Sequence, residues 1–247
     1  MRIFAIGDLH LAGGLEKPMD VFGPKWKNHP ERIRRGWLAR VQPDDAVLVP
    51  GDLSWANDLD EAKPDLAYLA ELPGTIILIR GNHDYWWSAI GRVRRALPPN
   101  VCAIQNDHVL LPDGTAICGS RGWVLPGSEG FDEHDARIYR REVERLKLSV
   151  QHAAKSGAER LIAMLHYPPL PIGNPANGSE LSEVLEQAGV RVCVYGHLHD
   201  EAQQRRAFNG VWRGVMYRLV ACDAIDFAPV QVWPQPSGEG RDATSPK

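Results

Sequence analysis

Residues 75–87 read "TIILIRGNHDYWW". An apolar, β-branched run ends abruptly in Gly81-Asn82-His83-Asp84, and three large aromatics follow. Short runs of this kind bounded by glycine read as buried strands. This one therefore delivers an amide, an imidazole and a carboxylate to a single turn. The event recurs along the chain. "RIFAIGD" (2–8) ends at Asp8 with His10 just beyond, and "AVLVPGD" (46–52) ends at Asp52. "LIAMLHY" (161–167) carries His166, and "VRVCVYGH" (190–197) carries His197, with His199 completing "GHLH".

Helical patterns separate several of these runs, at roughly 30–41, 58–71, 86–96, 133–156 and 179–188. The 133–156 segment is the clearest, with Ile138, Val143, Leu146 and Val150 at helical spacing and Gly157 placed to cap it. Residues 101–119, with the turn signal Pro112-Asp113-Gly114, and 203–222, with Asn209-Gly210 as a hairpin turn, read as antiparallel strands. Strands alternating with helices, then β-rich stretches, predict an α/β sandwich whose helices cover stacked mixed sheets. One domain over 1–233 is expected, followed by a polar, Pro/Gly-rich disordered tail at 234–247. The segment 11–31 is long for a connection and carries Met19, Val21, Phe22 and Trp26, so it reads as a lid or a wall of the site.

Composition narrows the function. The 247 residues are 44% hydrophobic and 24% charged with a net charge of −3, an ordinary globular balance without the basic field that marks nucleic-acid or membrane binders. No apolar run approaches the ~20 residues that span a bilayer. "MRIFAIGDLH" is a poor signal peptide, and Cys102, Cys118, Cys193 and Cys222 are dispersed in apolar runs as buried free thiols would be. A cytoplasmic protein is expected.

In open α/β sheets, ligands gather outside the carboxyl ends of the strands. Five deliveries of oxygen and imidazole donors converge on such an edge, without a cysteine among them. The set is too large for one tetrahedral ion. Its chemistry suits Mn, Fe or Zn better than a thiolate-bound structural zinc, and two adjacent ions bridged by a carboxylate account for the count. Each residue alone has a plainer role: Asp8 or Asp52 as turn residues, His166 in the core, Asn82 as a turn former. The ordered combination is what signifies.

The blocks "GDLH", "GD", "GNHD", "H" and "GHLH", in that order over residues 6–199, resemble the calcineurin-like metallophosphoesterases, and the whole chain is similar to small bacterial predicted phosphohydrolases of that superfamily. The resemblance implies a four-layer αββα sandwich, two mixed sheets flanked by helices, with a dinuclear metal centre, Mn first and Fe or Zn as alternatives. Asp8, His10, Asp52 and His199 would hold one ion. Asp52 would bridge to a second completed by Asn82, His166 and His197. His83 would protonate the leaving group, and Asp84 would orient its imidazole.

The mechanism so implied is hydrolysis without a covalent intermediate, two cations supplying a bridging hydroxide near neutral pH. Asn82, Arg121 in "GSRGW" and Lys25 are candidates to touch the phosphoryl group, with Lys27 and His29 behind them. Of Tyr85, Trp86 and Trp87, at least two are expected to pack the following helix. The segment "GDLSWA" after the second strand lacks the arginine of the "GDxxDRG" that protein phosphatases resemble. A phosphodiesterase acting on a small nucleotide-type or cyclic-nucleotide substrate is the first reading. A phosphomonoesterase, then a nuclease on DNA or RNA, follow; a non-catalytic binding scaffold comes last, because no ligand is missing.

Overall fold

The computed structural model describes residues 1–13, 15, 17 and 19–234. Of the tail expected to be disordered, all but Pro234 lies outside the described residues, as do positions 14, 16 and 18 of the long loop.

In chain order the strands are β1 (Ile3–Ala5), β2 (Ala46–Val49), β3 (Thr75–Leu78), β4 (Val101–Ala103), β5 (His108–Leu110) and β6 (Thr115–Ser120). They continue with β7 (Arg160–Leu165), β8 (Val192–Tyr195), β9 (Gly210–Trp212), β10 (Val215–Leu219) and β11 (Val230–Trp233). The helices are α1 (His29–Arg40), α2 (Lys63–Ala70), α3 (Ile90–Ala96), α4 (Glu133–Lys155), α5 (Glu180–Gln187) and α6 (Glu201–Arg206). None of them is long and apolar enough to cross a membrane.

One sheet runs β11-β1-β2-β3-β4 and the other β5-β6-β7-β8-β10-β9. Strands β1 to β4 are mutually parallel, as are β6, β7, β8 and β10, with antiparallel edges at β11, β5 and β9. The side-chain alternation of a strand explains the layers. Leu48, Ile77, Ile117, Ile162 and Val194 fill the space between the sheets. Val47, Val49 and Leu78 turn outward onto Ile33, Trp37, Leu66 and Val93 of α1 to α3. Ala163, Leu165 and Cys193 turn the other way, onto Val143, Leu146 and Leu181 of α4 and α5. Both faces of the central strands are dry, and so their sequences are unbroken apolar runs and not alternating ones. The architecture is the α/β sandwich of two mixed sheets flanked by helices.

Helix α4 begins at a reciprocal cap between Asp132 and Asp135 and ends two residues before Gly157, whose φ of 78° takes the left-handed position after the helix. Three local expectations need correction. Strand β4 pairs parallel to β3, and only β5 and β6 form an antiparallel hairpin around Pro112-Asp113-Gly114. Residues expected as strand from 203 begin instead within α6. The next hairpin turns at Arg213-Gly214, with φ of 46° and 83°, and not at Asn209-Gly210. Two consecutive positive φ angles match the twist of the flanking strands. The Asn209 side chain accepts a hydrogen bond from Leu219 N (2.9 Å), and Gly210 pairs with Tyr217 inside the ladder.

The two sheets meet at the carboxyl ends of their strands. Gly7 donates to Val220 O (2.7 Å) and accepts from Cys222 N (2.9 Å), stitching the end of β1 to the chain after β10. Cys118, Cys193 and Cys222 are buried free thiols, while Cys102 is half-buried; Cys222 Sγ donates to Asp8 O at 3.0 Å.

Candidate metal centre

The loops after β1 and β2 are braided. Asp8 N donates to Gly51 O and His10 N to Asp52 O, both at 3.0 Å, and Leu11 N to Leu53 O at 2.9 Å. Within this braid Asp8, His10, Asp52 and, from the loop after β8, His197 have φ of 57°, 45°, 52° and 74°. Non-glycine residues rarely adopt this left-handed region, and their presence together marks a site whose geometry overrides local preference. Two glycines are required by close approach. A Cβ on Gly81 would lie 2.1 Å from Asp52 Oδ1, and one on Gly196 would lie 2.1 Å from Asp8 Oδ2. The glycines of "GNHD" and "GHLH" thus let two carboxylates sit directly against the neighbouring backbone.

Asp8, His10, Asp52, Asn82, His166, His197 and His199 come together in one pocket. Asp8, His10 and His199 offer donor atoms within 4.8 Å of one another, and so do Asp8, Asp52 and His166. His10 Nε2 stands 3.2 Å from His199 Nε2, and His166 Nε2 stands 2.5 Å from Asn82 Oδ1. His197 Nδ1 lies 3.0 Å from the same Asn82 oxygen. Asp52 Oδ2 lies between the groups, 3.8 Å from His10 Nε2 and 3.5 Å from His166 Nε2.

The tautomers decide what these contacts mean. His166 Nδ1 donates to Pro50 O (3.0 Å) and His199 Nδ1 to Asp223 Oδ1 (2.9 Å), so in the neutral ring the Nε2 of each presents a lone pair inward. The lone pair of His166 Nε2 then faces that of Asn82 Oδ1 with no proton between. Asp8 Oδ2 is buried without any hydrogen-bond partner. Such an arrangement is repulsive on its own and favourable around cations, so the residues present fit a pair of divalent ions.

Protonation follows the same logic. Burial first, then the neighbouring imidazolium charges, push His197 down to about 2; burial does most to push His166 down to about 3 and His10 well below its ordinary range. These rings are neutral and ready to ligate. Burial opposes a charge on His199, but its hydrogen bond to Asp223 and the charge of Asp8 outweigh burial and raise the ring. Burial raises Asp8 well above the carboxylate range, with Asp52 adding to it, and burial likewise raises Asp52. A bound cation inverts this, holding both as carboxylates.

His83 sits at the rim, its ring 5.8 Å from that of His10 and 4.6 Å from that of Trp55, and its backbone N donates to Asp52 Oδ1 at 2.8 Å. Asp84 does not orient it. The fully buried Asp84 carboxylate accepts from Gly81 N (2.7 Å), Asp52 N (2.9 Å), Leu53 N (2.9 Å), Ser54 N (3.2 Å) and Trp86 Nε1 (2.9 Å), while His83 Nδ1 is buried without a partner. With both oxygens spent on these donors, Asp84 clamps the "GD" loop to the "GNHD" turn. Trp86 and Trp87 are buried and pack the core, and Tyr85 is exposed.

Lys25 is not free for a phosphoryl group: its Nζ pairs with Asp223 Oδ2 at 2.7 Å. His29 is buried, with Nε2 3.2 Å from His10 O, so it supports the backbone of a ligand. Arg121 lies 3.6 Å from Glu142 and over the ring of Trp123, in a recess beside His166 and not among the ligands. Two participants escape the sequence pattern. Asp223, in the turn after β10, fixes the ring of His199. Trp55 stacks on His10 at 4.9 Å. A carboxylate placed after the last parallel strand was the available signal for Asp223.

The family model described as calcineurin-like phosphoesterase matches residues 1–201. Among the solved structures that match, two share the fold over most of both chains. AQ665, a protein of unknown function from Aquifex aeolicus, is 15% identical with a TM-score of 0.51, over 93% of this chain and 95% of that one. TT1561 of Thermus thermophilus is 12% identical with a TM-score of 0.51, over 94% of this chain and 98% of that one. No curated protein matches this sequence.

Proposed function

The chain belongs to the calcineurin-like phosphoesterases, a hydrolase family acting on phosphoric esters, and from that premise we propose a manganese-dependent phosphodiesterase for small nucleotide-type substrates, cyclic nucleotides among them. The observation that carries the dinuclear reading is Asp52 Oδ2, within 3.8 Å of a nitrogen from each ligand group. In this reading Asp8, His10, Asp52 and His199 hold one ion, and Asp52, Asn82, His166 and His197 the other. The donor set of carboxylates, an amide oxygen and imidazoles, with no thiolate, suits manganese first, with iron or zinc as alternatives. When bound, such a pair supplies Lewis acidity and a water acidic enough to ionise near neutral pH.

The remaining work belongs to the chain. Asp52 and Asp8 would hold the cations and neutralise part of their charge. Asp223 and Pro50 O hold the proton on the far nitrogen of His199 and His166, keeping each inward lone pair aimed. His83, at the open rim, gives a proton to the departing alkoxide. Asp84 keeps Asp52 and His83 on one rigid frame.

The preference for diesters rests on Trp55. It occupies the loop after Asp52 where the phosphatase-type arginine is missing, and it stacks on His10 and approaches His83. An aromatic wall suits a singly charged diester with an organic arm on each side better than a doubly charged monoester. Turnover by the manganese-loaded protein tests this. Bis(p-nitrophenyl) phosphate and a cyclic nucleotide should be cleaved faster than p-nitrophenyl phosphate. The reverse order would make it a phosphomonoesterase, cleavage of oligonucleotides alone a nuclease, and silence with every metal would overturn the reading.

A further inference from the structure

Beside the metal centre, at the carboxyl ends of β3 and β6, lies a second cavity of about 120 Å³, several times the space one water needs. Arg80, Ser88, Asn106 and Arg121 line it, with Glu142 and Arg145 of α4 closing one side. Buried polar atoms without a partner are rare in folded proteins and each calls for an explanation. Of the eleven such side-chain atoms among the described residues, three belong to Asp8, His10 and His83, in or beside the metal centre. Four more are Arg80 Nε, Ser88 Oγ, Asn106 Oδ1 and Arg121 Nε, all on this one small cavity. The feature that marks the metal centre as a site marks this recess too.

The charge is equally one-sided. Glu142 Oε1 takes Arg145 Nη1 at 2.6 Å and Arg121 Nη2 at 3.6 Å, while Arg80 has no ion pair among the described residues. Three guanidinium groups face one carboxylate, leaving two positive charges in excess. Guanidinium forks and a hydroxyl in a pocket of this size match a tetrahedral oxyanion. The location ties it to the chemistry. Arg80 directly precedes Gly81 and Asn82, and Arg121 O accepts from His166 N and Tyr167 N, both at 3.0 Å.

We propose that this recess is an anion site for a dianionic tetrahedral group, of the phosphate class, seated next to the metal centre and separate from it. It stands on residues outside the ligand set, so it does not depend on the phosphoesterase reading.

Equilibrium dialysis against inorganic phosphate tests it, on the full chain both manganese-loaded and chelator-treated. The chelator-treated wild type should hold about one phosphate per chain. Arg80→Met should weaken that binding at least tenfold, and Arg80→Lys, which keeps the charge without the fork, should weaken it less, both with wild-type circular dichroism and manganese content. Binding only in the loaded protein, unaffected by Arg80→Met, would assign the phosphate to the metals and overturn the site. Absence of binding in both preparations would make the recess a solvent-filled void and also overturn it. The source of the group is read from KM with thymidine 5′-(p-nitrophenyl phosphate) and its 3′-phosphorylated counterpart. If Arg80→Met raises KM for the second only, the site seats a substrate phosphate. If it alters neither, while phosphate binding is still lost, the site takes a free anion; both results support the site.

Discussion

Replacing Asp223 by asparagine should loosen one metal and spare the other. The Asp223 carboxylate receives His199 Nδ1 at 2.9 Å on one oxygen, and Lys25 Nζ at 2.7 Å and Gln204 Nε2 at 3.0 Å on the other. An amide keeps the volume but removes the charge that fixes the His199 proton and strengthens the ring as a ligand. Outer partners of this type are worth ~10–100-fold in metal affinity, or about 1.4–2.8 kcal/mol. His166 takes its proton acceptor from Pro50 O and shares nothing with Asp223, so the second ion should keep its affinity. The Lys25 side chain is about one-third exposed and can turn to water, so the thermal midpoint should shift little. Competition of manganese against a chromogenic chelator resolves the two dissociation constants. A 10–100-fold rise in one constant alone is expected. Equal weakening of both, or of neither, would refute the pairing of Asp223 with a single site.

Other outcomes follow from the same geometry. His83→Ala should lower turnover ~10²–10⁴-fold while elemental analysis still finds the wild-type metal content; loss of the ions would make His83 a ligand and not an acid. Gly81→Ala puts a methyl 2.1 Å from Asp52 Oδ1, so it should cost about 1–3 kcal/mol of stability and displace the bridging carboxylate, read as a lower thermal midpoint together with lower manganese affinity. An unaltered affinity would mean Asp52 does not need that approach. Burial raises Asp8 and Asp52, and Asp223 with Asp8 raises His199, whereas His166 and His197 are depressed to about 3 and 2. Adding manganese at pH 6 to chelator-treated protein in weak buffer should therefore release protons from the raised groups, and affinity should climb with pH as they deprotonate. Binding with no proton release would contradict those directions.

The gathering of these donor residues at one edge was legible in the sequence because their scaffold is dry on both faces. Strands β1, β2, β3, β7 and β8 announce themselves as unbroken apolar runs, and parallel packing obliges whatever follows each run to gather at one edge. What lay hidden was set by partners remote in sequence. Asp84 looks like a companion for its neighbour His83, yet four backbone amides and an indole capture it, three of those amides from the loop after β2. Asp223 belongs to no motif and acquires its role only when the turn after β10 folds against His199. Asn209-Gly210 carries the stronger turn signal, but the hairpin turns at Arg213-Gly214, because cross-strand register, and not local preference, fixes where the chain reverses.

The proposed hydrolysis depends on two adjacent cations sharing Asp52. Elemental analysis of manganese-loaded protein, wild type beside Asp52→Ala, measures that directly. Two ions per chain in the wild type, and loss or severe weakening of both in the variant, is the expected result. One ion or none in the wild type, or two ions retained in the variant at wild-type affinity, would contradict it.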